Sequence, residues 1–172
     1  MTGRIQTSES FRLSAILSFS GGLQDAYTYM VRDRVFANAQ TGNVVLMSTR
    51  LMQGEWTAGA RYLLPLIAFA AGVLVAEQVR SACQRAQRLH WRQGILLAEM
   101  AILLAVGLLP QEMNILANSL VSFACAMQVQ AFRKVNGYGY ASTMCIGNLR
   151  SGTAALSAFY RTREHGQLVL AR

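Results

Sequence analysis

The stretch MNILANSLVSFACAMQVQAF, residues 113–132, decides the fold of this chain. It holds twenty uncharged residues between Glu112 and Arg133. At 1.5 Å per residue, a helix of this length covers about 30 Å, the thickness of the hydrocarbon core of a bilayer. Its apolar residues do not alternate with a period of two, and a helix satisfies its own backbone hydrogen bonds in lipid. The stretch therefore predicts a membrane-spanning helix.

Three further apolar runs predict helices of the same kind, and they are Phe11 to Val31, Tyr62 to Ala76 and Gly94 to Leu109. The second run continues to Arg80 if Glu77 lies at the membrane interface, paired with Arg80 or Ser81. Two other stretches, Asn38 to Gln53 and Tyr138 to Tyr160, are mildly apolar but hold Asn, Thr and Gly. Each predicts a short tilted helix or a re-entrant segment, because a broken backbone survives at membrane depth only where protein or water lines it.

The composition agrees with a membrane protein. Apolar residues make up 53% of the 172 residues, and charged residues only 14%. With the 14 glycines added, the apolar share rises to about 61%, against roughly 45–50% in soluble domains. The chain is therefore not disordered, and three cysteines are too few for a disulfide scaffold. The expected fold is all-α, a multi-pass transmembrane bundle of four helices and two Gly-Asn segments in one membrane domain, residues 1–172.

The formal net charge of +8 arises from fifteen arginines and one lysine against eight acidic residues. Most of these cations stand between the apolar runs, at Arg32, Arg34, Arg80, Arg85, Arg88, Arg92, Arg133, Lys134, Arg161 and Arg163. This distribution is typical of loops that follow the positive-inside rule. It disfavours nucleic-acid binding, which needs a continuous basic patch. The expected partner is therefore the lipid bilayer, with no nucleic acid.

Short motifs recur in the two halves of the chain. The matches lie 104 or 105 residues apart, and they are Ser18-Phe19 with Ser122-Phe123, Leu23-Gln24 with Met127-Gln128, and Thr41-Gly42-Asn43 with Ile146-Gly147-Asn148. Their common order predicts an incomplete internal duplication, with a first repeat at 11–110 and a second at 113–172. Counterparts of the later helices of the first repeat would fall near 166–184 and 198–213. We therefore expect a truncated form of a longer protein, the alternative being a naturally shorter second copy.

The segments SFSGGLQDAYTY (18–29), FANAQTGNVVLMS (36–48) and YASTMCIGNLRS (140–151) resemble the YoaK-like family. This family is a domain-of-unknown-function group of bacterial inner-membrane proteins, and the resemblance covers about residues 10 to 165. It implies a multi-pass protein of the bacterial cytoplasmic (inner) membrane, without an established reaction or ligand. Ile146 stands where the first motif has Thr41, so the second copy lacks that hydroxyl group.

The arginines also predict a topology. The loop at 80–92 holds four arginines and His90 and marks the cytoplasmic side, whereas the turn at 110–112 has no positive charge and faces outward. Helix 113–132 then runs inward. If both Gly-Asn segments re-enter, the N-terminus is inside and the first helix opposes helix 113–132, as in inverted-repeat transporters. If both segments span, the N-terminus is outside and the repeats are parallel. The sequence leaves both topologies open.

Two carboxylates fall inside predicted spans. Asp25 and Glu99 each lie about seven residues, or roughly 10 Å, from a helix end marked by arginine. An ionisable residue at this depth is costly and indicates a functional site. The alternative is structural, namely pairing of Asp25 with Arg32 or Arg150, or a neutral hydrogen-bonded acid. Asp25 is the leading candidate for ion or proton coupling.

The motif Thr41-Gly42-Asn43 combines a flexible backbone with a hydroxyl and a carboxamide. At a broken helix, such a motif exposes helix-end groups to an ion or small solute. The alternative is an ordinary helix start, with Thr or Asn as the cap and Gly relieving crowding. The predicted substrate- or ion-binding residues are Gln24, Asp25, Thr41, Gly42, Asn43, Glu99, Gln128, Gly147, Asn148 and Arg150.

Small residues recur every four positions, in the stripes Ser14, Ser18, Gly22 and Ala26; Ala68, Gly72 and Ala76; and Asn118, Ser122 and Ala126. Such stripes let membrane helices pack closely, within one chain or in a homo-oligomer. The two histidines have no cysteine or carboxylate at ligand spacing, and the three cysteines form no CxxC pair, so no metal site and no cofactor are expected. No set of nucleophile and base is recognisable either, so the chain is not expected to be an enzyme.

The expected function is that of a small-solute or ion transporter, or a permease-like protein, with its site between the two Gly-Asn segments. The alternative function is a non-transporting membrane scaffold or assembly subunit. In that case the small-residue stripes would bind partner helices.

Overall fold

The computed structural model describes residues 10–86, 91–135, 138–140 and 145–162. Six helices and two short strands follow in chain order: α1 (Phe11–Val31), α2 (Gln40–Met52), α3 (Trp56–Ala86), α4 (Trp91–Gly107), α5 (Asn114–Ala131), β1 (Lys134–Val135), β2 (Tyr138–Gly139) and α6 (Cys145–Thr162). A single 3₁₀ turn, Gln111–Met113, precedes α5. Three of the residues on which the predicted topology rests, Arg88, His90 and Arg163, lie outside the described residues.

The described chain is helical, and its helices α1, α4 and α5 lie where the apolar runs predict them. Helix α3 is longer than predicted, since it begins at Trp56 instead of Tyr62 and ends at Ala86 instead of Arg80. Hydropathy marks only the apolar middle of this helix, because residues such as Arg61, Gln84 and Arg85 near its ends are compatible with a helix but lower the local hydropathy. The antiparallel hairpin of β1 and β2, which pairs Lys134 with Gly139, was not predicted.

Helix α5 is the central helix of the bundle and packs against α1, α3 and α4. Its closest neighbour is α3, at Gly72. A Cβ atom added to Gly72 would lie 2.4 Å from the carbonyl oxygen of Phe123 and 2.8 Å from the Cβ of Ala126. Two of the predicted small-residue stripes therefore meet here, and only glycine permits this backbone approach.

Helices α1 and α5 are antiparallel. Near the beginning of α1, the carbonyl oxygen of Leu17 accepts a hydrogen bond from Gln128 near the end of α5. Just after the end of α1, Arg32 contacts Asn114 and Asn118 at the beginning of α5. The start of α1 thus lies with the end of α5, and a hydrophobic cluster of α1, α3, α4 and α5 residues joins them there. We call this the basic end of the bundle, defined by Arg12, Arg80, Arg92, Arg133 and Lys134.

After α1 the chain turns back into the bundle. The side chain of Asn38 donates to the carbonyl oxygen of Gly21 (3.2 Å), and its backbone N–H donates to Asp25 (2.7 Å). Helix α2 therefore begins beside the middle of α1. With 13 residues it is about 20 Å long, less than a bilayer core. It then packs alongside α3, where Gly59 lies against Leu51.

Beside its hydrophobic clusters, the bundle buries many polar side chains and leaves large apolar side chains on its outer faces. In α1, Ser14, Gln24 and Thr28 are buried, whereas Ile16 and Phe19 are 65% and 75% exposed. In α4 and α5, too, polar side chains are buried and large apolar ones face outward: Glu99, Asn118, Ser122 and Gln128 within, and Leu97, Met100, Leu104 and Ile115 outside. A protein folded in water places its large apolar side chains inside. These outer faces therefore suit an apolar surrounding.

One helix among the described residues is long and apolar enough to cross a membrane by its length and composition, over Trp56–Cys83. Only 22% of its most apolar window is buried, whereas the core helix of a soluble protein would be mostly buried. Pro65 lies within this helix with its side chain buried. The length and exposure of α3 thus agree with contact to lipid.

Replacement of Gly72 by alanine should loosen the contact between α3 and α5. The added methyl group overlaps the Phe123 carbonyl, so we expect a loss of about 1–3 kcal/mol in the free energy of unfolding, measured in mixed micelles. Gly22→Ala is the matched control, because nothing lies within 4 Å of a Cβ at that position. If both variants were equally stable, the close approach at Gly72 would be wrong.

Candidate functional site

Three buried polar side chains from three helices meet inside the bundle. The Nε2 of Gln24 in α1 donates to Oε1 of Glu99 in α4 (3.0 Å) and to the hydroxyl of Ser20 (3.1 Å). The thiol of Cys125 in α5 donates to Oε1 of the same Gln24. The side chain of Asn38 also lies within hydrogen-bonding reach of the thiol. Gln24 therefore joins α1, α4 and α5, and we call Gln24, Glu99 and Cys125 the polar centre.

Glu99 is the chemically unusual member of the polar centre. It is 3% exposed, and its second carboxyl oxygen, Oε2, has no hydrogen-bond partner in the described structure. No cation of the described chain forms an ion pair with it. A buried carboxyl group without a counter-ion is costly, and it is suited to take up a proton or a cation.

Asp25, the predicted leading candidate, lies next to the polar centre but is engaged by backbone. Its Oδ1 accepts the N–H of Asn38 at 2.7 Å, and the N–H groups of Ala37 and Ala39 lie within reach of the same carboxylate. Helix α2 has no side-chain cap of its own. Asp25 therefore supplies the acceptor that the start of α2 lacks, and a carboxylate is favoured at that end of a helix.

The first Gly-Asn motif forms the beginning of α2. Asn43 is buried, and its carboxamide binds Phe36 twice, accepting from the backbone N–H (2.9 Å) and donating to the carbonyl oxygen (2.7 Å). A Cβ atom on Gly42 would lie 2.8 Å from the Phe36 ring, which stacks on Tyr29. Thr41 is exposed. The structural alternative for the motif is thus met in part. Gly42 relieves crowding at a helix start, but neither Thr41 nor Asn43 is the cap, because the N-cap position is Ala39 and Asn43 binds the returning chain instead.

Arg32 is buried, with 3% of its surface exposed, although its sequence position suggests a charged loop. Its guanidinium group donates five hydrogen bonds of 2.7–3.1 Å, and the acceptors are Tyr27, Val106, Leu109, Pro110 and Asn114. Three of them are backbone carbonyls at the end of α4 and in the turn after it, where a helix offers few donors of its own. A cation here also opposes the negative end of the helix dipole. Arg32 is therefore a helix cap, and it is unsuitable as a topology marker.

The remaining predicted site residues divide into two groups. Gln128 is buried on α5, one turn beyond Cys125, and donates to the carbonyl of Leu17 at 3.1 Å. Gly147, Asn148 and Arg150 lie in the first turns of α6, which makes only sparse contacts with the other helices. The structure thus brings Gln24, Asp25, Glu99 and Gln128 into one region, but not the second Gly-Asn motif.

Sequence reasoning missed several residues of this region: Ser20, Arg32, Asn38 and Cys125. Cys125 reads as a small buried hydrophobe, because its partner Gln24 is 101 residues away. Glu77 forms the predicted interfacial pair with Arg80 at 3.3 Å and also contacts Gln130. Within the described ranges, no three His, Cys, Asp or Glu side chains are grouped so that they could hold a metal ion.

The fold and the polar centre define a helical bundle that has a long apolar helix and buries polar side chains. The chain belongs to the family described as "Protein of unknown function (DUF1275)", whose family model matches residues 13–172. No curated protein and no solved structure is significantly similar to the chain.

Replacement of Arg32 should destabilise the whole bundle. Lysine keeps the charge but not the planar fork, so we expect Arg32→Lys to lower the free energy of unfolding by about 1–3 kcal/mol. Arg32→Gln, which also loses the charge, should cost about 3 kcal/mol or more. The same changes at Arg12, which is exposed on α1, should alter the free energy of unfolding by no more than about 0.5 kcal/mol. Equal effects at the two positions would contradict the capping role.

Proposed function

We propose that this chain is a multi-pass protein of the bacterial inner membrane that moves a small solute or ion through the polar centre. The observation that carries the proposal is Glu99, a buried carboxyl group with one unpartnered oxygen and no cation beside it among the described residues. Such a group is retained in a membrane interior chiefly for function. The resemblance to YoaK-like proteins supports the same location, without naming a substrate.

The exposed apolar faces and the buried polar side chains of the helices support several membrane passes. Helix α1, although less apolar than α3, exposes Ile16, Phe19, Leu23 and Met30 on its outer face. Lipid is the surrounding in which such a face costs little, while the buried side chains of Gln24, Asn118 and Gln128 form hydrogen bonds between helices. On this basis α1, α3, α4 and α5 cross the membrane together.

The course of the chain between α1 and α3 supports a re-entrant first Gly-Asn segment. Residues 33–39 return to the middle of α1, and α2 runs back to the end from which it came. Since α1 and α5 are antiparallel, this is the topology in which the N-terminus and the basic end are cytoplasmic. Helices α2 and α6 begin at Gln40 and Cys145, with the same 105-residue offset as the two Gly-Asn motifs. This offset supports an inverted internal duplication.

In this arrangement the polar centre lies about two thirds of the way along α1 and about halfway along α4, next to the start of the half-helix α2. Broken helices of this kind place backbone amides and carbonyls at the depth where transporters bind their solutes. Here the amides are held by Asp25, and Glu99 is the carboxyl group left to exchange a proton or a cation. We therefore assign ion or proton coupling to Glu99, with Gln24 as the residue that orients it.

The proposed topology predicts which positions face outward. In a variant with Cys83, Cys125 and Cys145 replaced by alanine, cysteines at Gln53 and Gln111 should react with a membrane-impermeant maleimide in intact cells. Cysteines at Arg12 and Arg133 should react only after permeabilisation, because they lie at the basic end. Labelling of positions 12 and 53 from the same side would contradict the re-entrant topology.

The transport proposal predicts a flux that depends on Glu99. Purified protein in liposomes should move at least one of the following above protein-free liposomes: protons, Na⁺, K⁺, inorganic phosphate, alanine or glucose. Glu99→Gln keeps the shape and the hydrogen bond to Gln24, but it should lower the initial rate by at least about tenfold. Glu112→Gln, which removes a carboxylate from the exposed turn before α5, should leave the rate unchanged. No flux of any probe, or full flux in Glu99→Gln, would overturn the proposal.

A scaffold or assembly subunit is the second candidate, and one observation favours it. Gly22 and Ala26 are exposed on α1, with nothing within 4 Å of a Cβ position on Gly22, so this half of the small-residue stripe is open in the described structure. The other half is engaged, since Ser14 is buried and Ser18 contacts Tyr140. Such a face suits a partner helix, including a second copy of the chain. A protein with this role alone would move no solute, and the flux measurement therefore separates the two candidates.

A further inference from the structure

An open cavity of about 400 Å³ lies at the end of the bundle opposite the basic end. The residues that matter for its chemistry are Asp33, Arg34, Arg50, Glu55, Arg61 and Tyr62. They come from three segments, namely the turn after α1, the end of α2 and the beginning of α3. The polar centre contributes no residue to this cavity, which is therefore a separate site.

The turn that delivers Arg34 to the cavity has an unusual backbone. Asp33 and Arg34 both have positive φ, at 62° and 58°, and they are adjacent. Asp tolerates this left-handed region, but Arg rarely adopts it. The conformation lets the chain bury Arg32 in the bundle and, two residues later, place Arg34 at the wall of the cavity. Backbone strain of this kind concentrates at binding sites.

The three arginines of the cavity are not equally engaged. Arg50 binds Glu55 at 2.8 Å and lies beside the hydroxyl group of Tyr62. Arg34 and Arg61 form no ion pair with any carboxylate of the described chain. Two guanidinium groups thus remain available at one cavity. Guanidinium groups bind oxyanions through paired N–H donors, as phosphate and carboxylate require.

The position of these arginines gives a second reason to expect an anionic ligand in the cavity. If the basic end is cytoplasmic, Arg34, Arg50 and Arg61 lie on the outer side, where the positive-inside rule disfavours cations. Arg32 is explained by its role at the end of α4 and Arg50 by its pair with Glu55. Arg34 and Arg61 have no such structural role in the described chain. A ligand with negative charge accounts for both.

We propose that this cavity is a binding site for an oxyanion group, a phosphate or carboxylate, held mainly by Arg34 and Arg61. Arg50 and the Tyr62 hydroxyl complete the site from the other wall. The proposal does not depend on transport, since a bound anion is measured directly. The same chemistry is presented by a dissolved anion and by the headgroup of an anionic lipid, because the cavity opens where the bundle would meet the membrane surface.

The test measures binding to the full chain in two arms. In detergent, inorganic phosphate is titrated at constant ionic strength and followed by isothermal calorimetry. In nanodiscs, retention of phosphatidylglycerol over phosphatidylcholine is followed by native mass spectrometry. We expect one arm to show binding that Arg34→Gln and Arg61→Gln each weaken by about tenfold or more. Arg34→Lys should recover part of it, because lysine keeps the charge without the fork.

Arg12→Gln is the matched control, since it removes an exposed arginine from the basic end and should leave binding unchanged. If Arg34→Gln and Arg61→Gln weaken binding only in the phosphate arm, the ligand is a dissolved anion. If they weaken binding only in the lipid arm, the ligand is a lipid headgroup. Binding in neither arm, or equal weakening by Arg12→Gln, would overturn the proposal. The flux of the reconstituted protein is a separate readout, so failure of either proposal is distinguishable.

Discussion

The bundle depends on one interaction, the burial of the Arg32 guanidinium group against the end of α4. A helix that stops inside a protein leaves its last carbonyl groups unpaired, and burying them without donors is costly. Arg32 supplies donors to three carbonyls at the end of α4 and in the turn after it, and it reaches Asn114 at the start of the next helix. The backbone carbonyl of Arg32 in turn accepts a hydrogen bond from Asn118 at 2.7 Å. One residue therefore ties α1 to α4 and α5 and sets their relative heights.

The return of the chain into the bundle follows from this anchor. Because Arg32 is held within the bundle, the residues after it must leave α1 sharply, and the left-handed pair Asp33 and Arg34 makes that turn. The returning segment, residues 33–39, belongs to no helix or sheet, so side chains supply hydrogen-bond partners for its backbone groups. Asn43 binds both backbone groups of Phe36, and Asp25 binds the amide of Asn38. Polar residues that resemble a binding motif in the sequence thus also hold an irregular backbone.

Much of the fold is readable from the sequence, whereas the site is readable only in part. The apolar runs locate α1, α4 and α5, because hydropathy reports directly on length and surroundings. Glu99 and Gln24 are recognisable as polar residues within such runs. Their partnership is not, because 75 residues separate them and no local pattern records a contact between helices. For the same reason Arg32 reads as a loop charge, because four of its five acceptors are 74 to 82 residues away. By contrast, Asn136-Gly137 is a local hairpin signal between β1 and β2 that the sequence does offer.

The register set by Arg32 also explains why Glu99 keeps an unpartnered oxygen. Arg32 lies eight residues beyond Gln24, and its acceptor Val106 lies seven residues beyond Glu99, so α1 and α4 run parallel and in step. The contacts of Arg32 with Val106 and of Gln24 with Glu99 together fix the relative height of α1 and α4. Glu99 is thereby held at a height where its second oxygen has no partner among the described residues. Gln24 is already committed to Ser20, Glu99 and Cys125. A carboxyl group held in this way, with one oxygen left over, has the geometry that the proposed coupling role of Glu99 requires.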